Sequence, residues 1–489
     1  MEAKTKLVVE SEGVPGQDVP RQVVPGQVHT FSYRDKNIVL DVNSNSLFTV
    51  DVLAMGIIPL MENLDVDEIV TELASDFAEE VVREAYEELS ELVAAGILFS
   101  VGSLPQANFD PEEFEVKSMC LHVSHDCNLR CRYCFAGTGP YGQERTNMSY
   151  EMGKKAIDFL VGQAKNTSFI EIDFFGGEPL LNFPVVKQLV HYARELEPEI
   201  GKTFNFSLTT NGVLLNEEIE GFIADQGINL ILSIDGRKEI NDLLRPFADG
   251  TGSYDQLMNI YQKLNAKRAG CEDNRYGLGV YTYYRGTFTS ENLDFDQDVL
   301  HLSDQGFRRI SIEPVILPEN RRYALRSEHL PEIYESYDRL TEAYLERLGT
   351  DQEFYFHHFE VELDDGPCYA KRITGCGAGY HYIAVTPEGD IYPCHQFVGN
   401  RKWLIGNLEE GFTNKAAMNL LRDTNIYTKE ECRTCWVRHF CGGGCHVNAD
   451  GFNGDVAVPH AISCEMMRKR YENALYLKVL ELENTDQEV

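Results

Sequence analysis

The 489-residue chain has no run of about 20 consecutive apolar residues, so nothing in it suits a bilayer span. Its start, MEAKTKLVVESEGVPGQ, lacks the apolar core of a secretory signal peptide. Both absences point to a cytoplasmic protein with no membrane partner. Basic charge is scarce as well: 44 Lys and Arg stand against 78 Asp and Glu, a formal net charge of −34. That balance disfavours binding to phosphate backbones, so nucleic acid is not an expected partner, and the excess acid reads as a solvated surface. Cysteine is what the chain has in quantity, 13 residues. In a reducing compartment these do not form a disulfide framework; clustered ones read as metal ligands and isolated ones as core residues. With 43% hydrophobic residues the chain can build two or three domains without covalent staples.

Residues 1–27, polar and bearing Pro and Gly, read as a mobile arm. HTFSYRDKNIVLDVNSNSLFTVD then alternates like two short strands about an Asn/Ser turn, and DVDEIVTELA and AEEVVREAYEELSELVAAGIL read as helices. This module, 1–105 with the arm, leads through the linker GSLPQANFDPEE to a second domain, 106–345. There, MCLHVSH, FIEIDFFGG, FNFSLTTNG, INLILSIDG, YGLGVYTYY and FRRISIEPV read as six buried strands, each followed by an amphipathic segment. An α/β fold with a parallel sheet and crossover helices is expected, with chemistry at the carboxyl ends of the strands. From 346 to 489 short Cys- and Gly-rich elements such as CRTCWVRHFCGGGCHVNADG replace continuous apolar patterning, and such a segment is organised by metal rather than by a large core.

Cys127, Cys131 and Cys134 follow the first strand candidate in CNLRCRYC. Three thiolates are one short of the four that close a structural zinc site or a fully ligated 4Fe-4S cluster, so one iron of a cluster held there would stay open to a chelating ligand. The motif, with Tyr133 in the aromatic position before the last cysteine, resembles the signature of the radical S-adenosylmethionine (SAM) enzymes. That resemblance implies a partial (β/α)6 TIM barrel whose open iron is chelated by the amino and carboxylate groups of SAM. It also implies reductive cleavage of SAM to methionine and a 5'-deoxyadenosyl radical. Gly176, Gly177 and Glu178 in FFGGEP resemble the family's methionine-binding motif, with Glu178 expected to accept hydrogen bonds from the ammonium group. Ser233 and Asp235 in LSIDG are expected to meet ribose or carboxylate. Arg245 resembles an arginine that contacts the SAM carboxylate, and Val315 a position whose backbone faces adenine.

The cysteines at 376, 394, 432, 435, 441, 445 and 464 resemble the SPASM extension, which houses two auxiliary 4Fe-4S clusters. The resemblance implies an outer cluster on Cys432, Cys435, Cys441 and Cys464, and an inner one on Cys376, Cys394 and Cys445. Either Cys368 completes the inner cluster or that iron accepts a substrate thiolate. Cys120 and Cys271 read as small buried hydrophobes.

The first module resembles the winged-helix recognition element that adds the leader of a ribosomally made peptide to an edge strand. GPCYAKRITGCGAGYHYIAVTPEGDIYPCHQFVG resembles the maturases of the ranthipeptide group, including the SCIFF and freyrasin types, which join cysteine sulfur to a neighbouring residue's carbon. The implied substrate is a Cys-containing precursor peptide with a leader, and the implied partner a reductant such as flavodoxin or ferredoxin. The reaction would be a net two-electron oxidation of the peptide with SAM cleaved. Sulfatase maturases place aspartate after the cysteine of YPC; His395 stands there in this chain and is a candidate proton acceptor. Formylglycine formation, carbon–carbon crosslinking and, outside catalysis, a multicluster electron carrier are the competing readings.

Overall fold

The computed structural model describes residues 23–24, 27–103, 115–268, 282–363 and 373–485. Cys271, Cys368, most of the amino-terminal arm and most of the 102–113 linker lie outside them. Among the described residues no helix is long and apolar enough to cross a membrane.

Among the described residues the first module has three strands where two were expected, β1 (Val28–Tyr33), β2 (Lys36–Asp41) and β3 (Leu47–Val50), in one antiparallel sheet, besides a two-residue antiparallel pairing of Val23–Val24 with Gly102–Ser103. The expected turn is real, but Arg34, with a φ of 55°, turns the chain once more inside what had been read as one strand. Three helices follow, α1 (Val52–Leu60), α2 (Val66–Leu73) and α3 (Glu79–Ala94). Helix α1 is unpredicted because its sequence is apolar nearly all round and contains Pro59, so it shows no amphipathic period. Asp65 starts α2 through a capping box with Glu68.

The second domain follows the expected order: β4 (Ser118–Ser124), α4 (Tyr150–Gln163), β5 (Phe169–Gly176), α5 (Phe183–Ile200), β6 (Thr203–Thr210), α6 (Glu217–Gln226), β7 (Asn229–Ser233), α7 (Lys238–Leu244), α8 (Tyr254–Arg268), β8 (Thr282–Phe288), α9 (Phe295–Asp304) and β9 (Arg309–Pro314). Strands β4 to β9 lie side by side in chain order, all parallel. β8 runs later than YGLGVYTYY suggested; residues 276–281 of that stretch are outside the described ones. The strands also differ from the expectation of burial on both faces. In β5 and β6 alternate residues are fully buried under the helices, while Glu171, Asp173, Ser207 and Thr209 on the other face are only partly covered. That period-2 pattern marks a polar inner face.

After α10 (Leu330–Arg347) and the short edge strand β10 (Tyr355–Phe356), the third segment does not form a separate sheet. Its first strand, β11 (Tyr382–Val385), pairs in parallel with β4, and β12 (Asp390–Tyr392), β13 (Gly406–Asn407) and β14 (Gly411–Phe412) extend the same sheet antiparallel to eleven strands. Helices α11 (Lys415–Asp423), α12 (Glu430–Arg433), α13 (Arg438–Cys441) and α14 (His446–Asn453) are short, but the chain then forms the 25-residue α15 (Ala461–Thr485). This helix, unexpected from composition, packs Leu475, Tyr476 and Val479 against Ile38, Leu40 and Leu47 of the first module. It therefore ties the two ends of the molecule together.

Candidate functional site

At the carboxyl ends of β5, β6 and β7 lies an open cavity with about 650 Å³ of empty space. Cys127, Cys131 and Cys134 line it, with Tyr133, Gly176, Gly177, Ser233 and Arg245. The loop bearing the thiols is latched on two sides. Arg130 and Arg132 donate backbone N–H bonds to Pro246 and Leu244 carbonyls at 2.8 and 2.9 Å, and Leu129 bridges to Phe247, so the segment carrying Arg245 is fixed against it. On the other side Gly177 N–H donates to Ser124 at 2.8 Å and Glu178 N–H to Asp126 at 2.7 Å. A Cβ at Gly177 would sit 2.2 Å from the Asp126 carbonyl oxygen, and one at Gly176, where φ is +135°, 2.1 Å from that of Ser124. The two glycines thus let the end of β5 close on the cysteine loop.

Burial pushes the Cys127 thiol up to about 11 and Cys131 to about 12. As free thiols they resist ionising, whereas a metal would take them as thiolates. Leu129 N–H points at Cys127 Sγ from 3.5 Å and Asn211 Nδ2 from 3.7 Å, donors suited to sulfur carrying negative charge. Arg245 is 8% exposed; its Nη1 donates to the Tyr133 hydroxyl at 2.6 Å and lies 3.6 Å from Asp235. Its Nε is buried and has no hydrogen-bond partner among the described residues, while the residue itself lines the cavity as a cation suited to a carboxylate.

Three sequence-predicted residues stand behind this wall instead of in it. Glu178 is fully buried, and its oxygens accept from Leu180 N–H, Thr210 Oγ1 and Asn211 N–H at 3.0, 2.6 and 2.8 Å, which commits them to the chain. Glu178 thereby clamps the ends of β5 and β6. Asp235, also buried, accepts from Tyr133 and from Thr287 N–H; burial pushes its carboxyl up to about 6 against the pull of Arg245. It anchors Tyr133 and Arg245. Val315 belongs to the core, and its N–H is held by the Phe288 carbonyl. Conversely Thr209, Thr210 and Asn211 line the cavity and were missed, although TTN at the end of a strand candidate was the signal.

The carboxyl-terminal thiols form two groups. Cys432, Cys435, Cys441 and Cys464, brought together from α12, α13 and α15, line one small cavity. Cys394 lies within electrostatic reach of Cys376 and Cys445, and burial raises its thiol. Between the groups, Gly442, Gly443 and Gly444 all have positive φ, of 65°, 87° and 74°. This left-handed run lets Cys441 face one group and Cys445 the other, and the Gly443 and Gly444 N–H groups turn toward Cys441. Among the described residues no three Cys, His, Asp or Glu side chains close on one point as a single ion requires. Thiols spread around cavities and met by N–H donors fit extended iron-sulfur clusters better than zinc.

A second large cavity, with about 970 Å³ of empty space, lies between the inner face of the sheet and this thiol region, and is lined by Arg285, Glu313, His358, Cys441, Cys445 and Cys464. His395 packs on Phe135 and Phe175 of the first cavity, and its Nδ1 is 3.0 Å from the Tyr382 hydroxyl. Burial pushes its imidazole down to about 4, so the ring is neutral at neutral pH.

Residues 121–284 match the radical SAM superfamily and residues 376–436 match SPASM, an iron-sulfur cluster-binding domain. An uncharacterized protein of Methanocaldococcus jannaschii is 28% identical over 320 residues, 64% of this chain and 96% of that protein. The cysteine-type anaerobic sulfatase-maturating enzyme of Clostridium novyi is 24% identical over 387 residues, 73% of this chain and 95% of the enzyme. Among solved structures, native anSMEcpe with bound AdoMet covers 75% of this chain and 99% of its own, with TM-score 0.61 and 19% identity. Streptococcus suis SuiB bound to S-adenosylmethionine covers 88% of this chain and 96% of its own, with TM-score 0.50 and 16% identity. The chain thus carries a radical SAM domain followed by a SPASM domain, with 4Fe-4S clusters and SAM as cofactors.

Proposed function

We propose that this protein is a radical SAM peptide maturase that forms thioether crosslinks between cysteine sulfur and carbon in a ribosomally made precursor, the ranthipeptide type of reaction. The observation that carries the reading is the pair of cavities: one with three thiols and the Arg245 cation in its wall, and one running from the inner face of the sheet to Cys445. In this reading Cys127, Cys131 and Cys134 hold the SAM-binding cluster, and Cys432, Cys435, Cys441 and Cys464 the outer auxiliary one. Cys376, Cys394 and Cys445 hold the inner one, with Cys368 or a substrate thiolate as its fourth ligand. SAM bound on a reduced cluster supplies a 5'-deoxyadenosyl radical able to take hydrogen from an unactivated carbon.

The chain's own residues then have definite tasks. Arg245 binds the SAM carboxylate from the cavity wall, while Asp235 and Tyr133 keep the guanidinium in place. Gly176 and Gly177 hold the cysteine loop tightly on β5. The neutral His395 ring accepts a hydrogen bond from the substrate thiol, and the Tyr382 hydroxyl fixes its orientation. Strands β4–β9 are read as the partial barrel, and β1–β3 with α1–α3 as the winged-helix element that adds the leader to an edge strand. Its seat on α15, and the stacking of His29 on Trp436 at 3.9 Å, keep that element beside the outer thiol group.

Formylglycine formation is the second reading, favoured by the sulfatase-maturating relative. The test is anaerobic incubation of the reconstituted protein with SAM, a reductant and any short Cys-rich peptide whose reading frame adjoins its own. A peptide lighter by two hydrogens per crosslink and poorer by one alkylatable thiol is the expected product. An aldehyde on a sulfatase peptide supports the second reading, and absence of 5'-deoxyadenosine overturns both.

A further inference from the structure

Lys429 is 1% exposed in a chain that carries a large excess of acid, yet among the described residues it has no carboxylate partner. It caps the amino end of α12, accepting backbone N–H bonds from Cys432 and Arg433, and its ammonium donates to the Gly443 carbonyl at 2.7 Å. That carbonyl belongs to the middle glycine of the left-handed run joining Cys441 to Cys445, so the cation is aimed at the peptide between the two thiol groups. The thiols that act on its charge belong to both groups: Cys432, Cys441 and Cys464 of the outer one and Cys445 of the inner one. Arg438 and Arg468 also border the outer thiol cavity, but Lys429 is the cation that donates to the glycine run between the two groups.

A buried cation with no carboxylate partner is costly unless an anion offsets it. The anions within its reach are the thiolates that would hold the two auxiliary clusters. We propose that Lys429 is a positioning residue that sets the reduction potentials of the auxiliary clusters, its fixed positive charge between the two thiol groups making them easier to reduce. The physical ground is that a cluster's potential follows the net charge, hydrogen bonding and solvent exposure around its sulfurs. One elementary charge in a partly dry interior shifts such an equilibrium by about tenfold. An auxiliary cluster made easier to reduce is a better acceptor for the electron that peptide oxidation leaves behind. The inference rests on the ligand assignment proposed above.

The test uses the full chain, reconstituted anaerobically, with Cys127, Cys131 and Cys134 replaced by Ala so that only auxiliary clusters remain. Into it are placed Lys429→Gln, which keeps a donor without the charge, and Lys429→Arg, which keeps the charge. Iron and sulfide are counted, and midpoint potentials are read by EPR-monitored redox titration. The expected result is full iron in both variants, with at least one midpoint lowered about tenfold in equilibrium, ~59 mV for one electron, in Lys429→Gln and restored toward the parent in Lys429→Arg. Loss of iron in Lys429→Gln but not in Lys429→Arg also supports the role of charge. Unchanged potentials at full iron content, or equal loss of iron in both variants, overturn it. A parent protein without both auxiliary clusters overturns instead the ligand assignment beneath it.

Discussion

Replacing Gly177 by alanine tests how the cysteine loop is held. The backbone there has no left-handed strain, so the effect is steric alone. The new Cβ would lie 2.2 Å from the Asp126 carbonyl oxygen, 2.6 Å from its carbon and 2.8 Å from Gly139 Cα. A relaxed contact needs about 3.5 Å, so the loop must retreat by roughly 1 Å. The neighbours are backbone atoms and cannot rotate away. Retreat stretches the Gly177–Ser124 and Glu178–Asp126 hydrogen bonds, now 2.8 and 2.7 Å. Two such bonds at about 1 kcal/mol each, plus about 1–3 kcal/mol for overpacking, give a loss of about 3–5 kcal/mol. Against a typical total of about 5–15 kcal/mol this is large but survivable. Urea unfolding, iron content and 5'-deoxyadenosine release are the assays, with Gly221→Ala as control. Gly221 lies inside α6, where an added Cβ meets nothing within 4 Å, so that change should stabilise by about 0.5–1 kcal/mol. Gly177→Ala is expected to lose the iron of the first cluster and SAM cleavage while keeping the carboxyl-terminal iron. Stability within about 0.5 kcal/mol of wild type with normal SAM cleavage would refute the reasoning, since that lies inside ordinary surface variation.

Arg245→Gln should weaken SAM binding about 10- to 100-fold, the worth of one hydrogen bond to a charged group, as measured by equilibrium dialysis on the reconstituted protein; unchanged affinity rejects the assignment. It should also lower the melting temperature by leaving Asp235 buried without its cation, and adding Asp235→Asn should recover part of that loss. Changing Cys432, Cys435, Cys441 and Cys464 together to Ala should remove one cluster's iron and leave that of Cys376, Cys394 and Cys445, whereas iron equal to wild type contradicts the grouping. Asp173 has a carboxyl pushed up to about 6 by burial, despite hydrogen bonds from Ser207 and Thr209. Between roughly pH 4 and 6 the folded state therefore holds a proton that the unfolded chain has released, and stability falls as pH rises through that window. Asp173→Asn should gain more over wild type in thermal melts at pH 7.5 than at pH 4.5, and a pH-independent difference would sink the assignment.

How far the site was legible depended on whether spacing alone fixes a geometry. Cys127, Cys131 and Cys134 are close in sequence and must be close in space, so their meeting was readable from the chain. Cys432, Cys435 and Cys441 were nearly as plain, although Cys464 reaches them only because α15 begins where it does. The partners of Glu178 were not legible, because its neighbours in sequence are the glycines of the cavity wall while Thr210 and Asn211 come from the end of the next strand. Asn211 was missed for the same reason in reverse. Lys429 gave no signal, since a lysine among acidic residues normally reads as solvated surface, and only burial reveals its isolation.

Local chemistry along the chain was enough to determine the strand and helix alternation of the second domain and the two cysteine-rich regions, because each depends on residues within a few positions of one another. The joining of β11 to β4, the polar inner face of the sheet, the docking of the first module on α15 and the burial of a lone cation between two thiol groups were decided by tertiary structure. Those features arise from contacts between segments far apart in the chain, whose pairing is set by the packing of the whole and by no local pattern.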